Sequence, residues 1–234
     1  MLSFKKQYQQ AFQDVFEQEA FRCEGNSFYR LTHDVLQVFC MRQYQGTYEF
    51  CFTIHPVALA IEDLYVQHYY ISAFREKKCQ WWKRQELIDT HFEEAVMITR
   101  KHVIPIFQNG IDAKTAYQAL VSYEKQIYTG LPGGVIMNSW PFVLLCLQAG
   151  DFEQAEKHME AIVEQNRSAF FSKMAQNEIY RQLDDAQVEA LRKKLAGRES
   201  QLQKIRDRDT EYWNSVLEAG RKQTLSFLET MKIK

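Results

Sequence analysis

Apolar and polar positions alternate with a period of two from Thr47 to Ile54. Tyr48, Phe50, Phe52 and Ile54 fall on one side, while Thr47, Glu49, Cys51 and Thr53 fall on the other. This spacing predicts a β-strand with one buried face. Just before it, residues 35 to 41 are apolar at nearly every position, as expected of a central strand covered on both faces. A third strand-like run starts at Ser27. Turns are expected at Asn26, at Thr32 to Asp34 and at Tyr44 to Gly46. Together these runs predict a small antiparallel meander, closed by His55-Pro56, where the residue before proline favours extended backbone.

Helical spacing flanks the meander on both sides. In residues 3 to 20 Phe4, Tyr8, Ala11, Phe12, Val15 and Phe16 form a single stripe, with Ser3 placed to cap it. Such a stripe needs a surface to lie on, and the meander offers one. A further strand is expected within residues 64 to 74. From Asp89 the period turns helical again, with Pro105 ending or kinking that helix. Asn109-Gly110 marks a stop, and Asp112 caps the next helix. After the T-G-L-P-G-G connector, an apolar helix starts near Ser139, ends at Gly150, and hands over at once to another opened by Asp151. From Asp184 onward the chain is dense in charge and carries no proline. Val188, Leu191, Leu195, Leu202 and Ile205 form one heptad-like series, and Trp213, Leu217, Gly220, Thr224, Phe227 and Met231 a second. The charged residues 206 to 210 between them favour a break over a single helix.

The fold class that follows is α+β: an N-terminal helix on a small antiparallel meander, then a helical C-terminal half with a long helical tail. Residues 3 to 166 are read as an α+β domain with a helical hairpin, and residues 167 to 234 as the tail, in two helices. At 234 residues the chain suffices for one good core, and its formal net charge of -1 argues against duplex nucleic acid or an anionic membrane as partner. Five cysteines without C-x-x-C spacing suit a reduced, cytoplasmic protein. No run reaches the roughly twenty apolar residues a membrane span needs.

The helix before Phe21, the G-N-S-F-Y-R run ending at Arg30, D-V-L-Q-V, the F-x-F-x-I-H-P ending of the last strand, and Phe74-Arg75 with Trp81-Trp82 resemble a bacterial family known only as domain of unknown function 4304. The resemblance covers roughly residues 3 to 165. It implies an α+β domain and no assigned activity, so no catalytic residue is carried over from it.

Candidate chemistry is sparse. Arg30, beside two aromatics, could present a fork to a carboxylate or phosphate, or equally pair with a neighbouring acid. Cys51 and His55 are four positions apart on one strand, roughly 13 Å, too far for a nucleophile–base hydrogen bond. A thiol–imidazole site would therefore need residues from different strands, such as Cys40 with His55. Lys77, Lys78, Trp81, Trp82, Lys83 and Arg84 interleave cations with indoles, which suits stacking on bases or a membrane interface, or a loop pinned by its tryptophans. No metal-ligand spacing and no phosphate-cradling loop occurs, so no metal and no cofactor is expected. The sequence thus favours a non-enzymatic interaction module whose C-terminal helices recruit a protein partner or a second copy. A bacterial defence or immunity protein is one version of it, by analogy alone. The alternative is an enzyme with a site assembled across the sheet around Arg30, Tyr48 and His55.

Overall fold

The computed structural model describes residues 3–44, 47–58, 69–70, 82–83, 92–127, 139–180 and 183–230. Helix α1 (Phe4–Glu17) is capped by Ser3, whose hydroxyl accepts from the Lys6 amide at 3.4 Å. Strands β1 (Arg22–Glu24), β2 (Ser27–Leu31), β3 (Val35–Tyr44) and β4 (Thr47–Pro56) follow as an antiparallel meander. Two short strands, β5 (Tyr69–Tyr70) and β6 (Trp82–Lys83), both pair with β4, opposite Cys51 and Phe52 and opposite Thr47 and Tyr48 respectively. Because β3 occupies one edge of β4, both additions lie along its other edge. The α+β architecture, with its opening helix on a meander, is the one the hydrophobic pattern specifies.

The stripe on α1 meets the odd-numbered side of β3 and the even-numbered side of β4. Phe12 lies 5.2 Å from Phe39 and 5.3 Å from Phe50, and Phe16 lies 4.6 Å from Phe28, centroid to centroid. All five rings are buried, each contributing roughly 2–3 kcal/mol of apolar transfer. Helices α2 (Phe92–His102), α3 (Ile104–Asn109) and α4 (Ala113–Ile127) complete this core with Ala95, Ile98, Phe107, Ala116 and Leu120. Pro105 stands in the first turn of α3, where its missing amide costs nothing.

The opposite face of the sheet corrects the expectation of one buried side on β4. Glu49, Cys51, Thr53 and His55 alternate with the core phenylalanines, yet all four are buried. Helix α5 (Trp140–Gln148) and helix α8 (Thr210–Thr230) cover that face, packing Leu144 and Leu228 against Leu36, Val38, Cys40 and Cys51. Period-two polarity reports which side chains share a face, and a helix supplied 160 residues later decides whether the face is wet. Helix α5 is apolar all round and buried from Pro141 to Leu147, contributing to the core under α1, the core under α8, and a third one. That third core joins α5 to α6 (Phe152–Tyr180), α7 (Asp185–Arg206) and α8 through Met159, Val163, Leu202, Ile205 and Trp213.

Two details fix α8 in place. Gly220 lies so close to the sheet's end that an added Cβ would overlap the carbonyl oxygen of Ala58 and come within 2.8 Å of its carbonyl carbon. Arg221 donates from Nη1 to the His33 carbonyl at 3.0 Å. The chain breaks between α7 and α8 over residues 207–209, with Arg208 at φ 50° and Asp209 accepting both from the Lys204 ammonium and from the Tyr212 amide. Here the charged stretch breaks the helix, as its composition suggested.

Candidate functional site

Arg30 lies on the α1 side of β2, and every arm of its guanidinium is engaged. Nε donates to Gln37 Oε1 at 2.7 Å, Nη1 to the Glu19 carbonyl at 2.9 Å, and Nη2 to the Phe107 carbonyl at 2.9 Å. The cation also sits 4.8 Å from the centroid of Phe21. Gln37, fully buried, donates in turn to the carbonyls of Phe107 and Gly110. Burial lowers the pKa of Arg30, opposed by the carboxylate of Glu19. The group therefore bolts the end of α1 to the end of α3, its cation meeting the Glu19 carbonyl and sharing the Phe107 carbonyl with Gln37.

Tyr48 is on the same face but at the other end of β4, half-buried, with its ring 4.6 Å from Phe4. His55 is buried on the opposite face, in register with Leu36. Arg30, Tyr48 and His55 are thus not brought together. Residue 54, beside the Arg30–Gln37 pair, is six positions from Tyr48, roughly 20 Å along the strand. Trp82 and Lys83 form β6, with Trp82 opposite Tyr48. Lys77, Lys78, Trp81 and Arg84 lie outside the described residues.

The two cysteines of the central strands are packing groups. Cys40 and Cys51 are cross-strand partners with sulfurs 3.1 Å apart, both buried. Burial and the neighbouring thiol push the pKa of Cys51 well up, leaving little thiolate to act as a nucleophile. Cys40 therefore sits beside Cys51 and far from His55.

A second buried polar group lies between α4, α5 and α6. His158 Nε2 and the Tyr117 hydroxyl are 3.0 Å apart, and the imidazole stacks on Phe142 at 17°. Burial lowers the pKa of His158 and raises that of Tyr117 to about 12. Both changes favour the neutral forms, so the pair holds three helices together without storing a charge. Two open grooves, about 570 Å³ between α3 and α4 and about 430 Å³ beside α1 and β1, are lined mainly by amides, hydroxyls and exposed charges. The first also includes the buried Tyr123. Among the described residues no cluster could hold a metal ion, and no helix is long and apolar enough to cross a membrane.

The unsatisfied surface is elsewhere. On α6 the last buried residue is Val163 and on α7 the first is Leu202; between them no described residue is buried. The two helices nonetheless run antiparallel as a pair, joined by Arg167 to Glu199 at 2.8 Å and by Arg206 to Glu160 at 2.6 Å. This register sets Phe170 level with Leu195 and Met174 level with Leu191, all half-exposed. The tip is well made: Asp184 caps α7 in a reciprocal capping box with Gln187, and the Leu183 amide donates to Asn177. The result is an arm about 25 Å long and two helices wide, with no third layer among the described residues. On it Phe171 is 62% exposed, the largest such aromatic among the described residues.

The sequence reading placed interaction in these C-terminal helices and named Val188, Leu191 and Leu195 on α7, but none of the arm's residues on α6. A signal was present: Phe170 continues the Met159 and Val163 stripe, so Phe171 is thrown about 100° out of it. Comparison with family models, curated proteins and solved structures finds no match to the chain.

Proposed function

We propose that this chain is a non-enzymatic protein-interaction module, with the sheet and its covering helices as scaffold and the α6–α7 arm as the recruiting element. One observation carries the reading: a well-capped helical pair extends past the last buried residues on either helix while presenting a bare aromatic. Maintaining about 25 Å of two-helix structure outside a core is unfavourable unless something covers it, because helices in water gain most of their stability from packing an apolar face. The polar groups with catalytic potential support the same reading from the other side. Arg30 and the Tyr117–His158 pair are each committed to holding elements together.

The test is to replace residues 165–200 with a short Gly-Ser turn, cutting between Val163 and Leu202 so that the third core is untouched. The shortened chain should keep a cooperative thermal transition and lose the proteins that co-purify with the intact chain from its own cell extract. Recovery of the same proteins in the same amounts without the arm would overturn the proposal.

A further inference from the structure

One side of the arm is self-complementary, and we infer that a second copy of this chain packs there, the two arms forming an antiparallel four-helix bundle. The inference rests on the interaction-module reading and names its partner. The Arg167–Glu199 pair closes across one side of the arm and so identifies it. Counting one turn and two turns from Arg167 along α6 gives Phe171 and Ala175. Counting back from Glu199 along α7 at helical spacing gives Ala196, Arg192, Glu189 and Asp185. All six are exposed, so a large ring, two small residues, the opposed charges Glu189 and Arg192 and a further acid, Asp185, share this face.

Glu189 and Arg192 are one turn apart, and among the described residues neither is engaged by another group. A two-fold axis crossing the arm between them, perpendicular to the helices, sets each Glu189 opposite the Arg192 of the second copy. Glu189 and Arg192 of each arm are answered by the same operation, as an isologous interface requires, while Asp185 is set opposite the small Ala196. In the arm's register that axis crosses α6 beside Ala175, where the absence of a side chain beyond Cβ lets the two α6 helices approach closely. Phe171 then leaves water against the other arm.

The area is sufficient. A face about 25 Å long and about 20 Å wide offers on the order of 500 Å² per copy, and pairing covers on the order of 1,000 Å² in total. That is the lower end for specific association, so a dimer in the micromolar range is expected rather than an obligate one. The Arg167–Glu199 pair, already satisfied at the root, contributes no net charge against it.

The experiment measures mass by sedimentation of the full chain at about 1 to 200 µM, spanning a micromolar dissociation constant. The wild type should move from 27.8 kDa toward twice that mass as concentration rises. Phe171→Asp should abolish the dimer. Arg192→Glu places two acids at each end of the axis and should weaken it roughly tenfold. The exchange Glu189→Arg with Arg192→Glu restores opposite charges only if the surface meets itself, so it should recover wild-type affinity. A heterologous partner would be lost by the single change and not regained by the exchange. A wild type that stays monomeric throughout, or an exchange variant no better than Arg192→Glu, overturns the inference. In that case continued loss of co-purifying proteins on removing residues 165–200 would leave the module reading standing, whereas retention of them would remove both.

Discussion

Two glycines in the C-terminal helices provide a sharp test of how the tail is attached. Gly197 lies in α7, exposed, with nothing within 4 Å of where a Cβ would stand. Gly220 lies buried in α8 against the backbone of Ala58. Helix propensity treats them alike: glycine to alanine in a helix interior gains about 1 kcal/mol, mostly by restricting the unfolded chain. At Gly197 that gain should be realised nearly in full. At Gly220 the new methyl meets a carbonyl carbon at 2.8 Å as well as its oxygen, where ordinary contact begins at about 3.4 Å. The obstacle is backbone at the end of β4, with no rotamer to give way. Helix α8 must lift, and lifting it loosens Leu228 over Leu36 and Trp213 in the third core.

Overpacking of this kind costs about 1–3 kcal/mol or more, so Gly220→Ala should be destabilising by about 1–2 kcal/mol after the propensity gain is set against it. The two variants should therefore differ by about 2–3 kcal/mol despite identical chemistry. Urea unfolding followed by circular dichroism reads this directly. With a slope of about 2–3 kcal/mol/M, the midpoints should separate by about 1 M, one above and one below wild type. If both midpoints rise together, α8 is not seated on Ala58 in solution, and the account of the covered β4 face fails with it.

Arg30→Met keeps the apolar stem but removes bonds to Gln37 and to the Glu19 and Phe107 carbonyls; it should cost about 3 kcal/mol in urea unfolding, with Arg30→Lys recovering only part because one ammonium cannot span three acceptors. A loss below about 0.5 kcal/mol would return Arg30 to the pool of ligand-binding candidates. Among the described residues the buried Tyr8 hydroxyl has no hydrogen-bond partner, so Tyr8→Phe should raise stability by about 1 kcal/mol, and a decrease would reveal a partner. His158, its pKa lowered by burial, binds fewer protons folded than unfolded, where it titrates near 6.5. Its contribution is therefore complete above about pH 6.5 and is lost as pH falls from there toward the depressed folded value. His158→Phe should flatten stability against pH across that interval, and an unchanged slope would refute the assignment.

What the sequence makes legible here is local, and what it hides is set by distant partners. The stripe from Phe4 to Phe16, the alternation from Thr47 to Ile54 and the stop at Gly150 are each fixed within a few residues. Each appears in the structure where the pattern puts it. Thr53 and His55 read as solvent-facing because their own strand offers no apolar neighbour on that side. They are buried because α8 arrives from far along the chain. Gly220 was the available clue, a residue without a side chain amid Trp213, Leu217 and Thr224 on a helix otherwise rich in good formers. Arg30 was ambiguous for the same reason. Its acceptors are backbone carbonyls 11 and 77 positions away, and carbonyls leave no trace in a residue pattern. The arm illustrates the converse failure. The apolar spacing that runs through Val163 and Leu202 continues unchanged through Phe170, Leu191 and Leu195, where nothing is buried. Periodicity states which residues share a side of a helix, and only the third dimension states whether that side has been covered. The same spacing serves a covered core and a bare two-helix seam alike, which is why the arm is not distinguishable from the core by pattern.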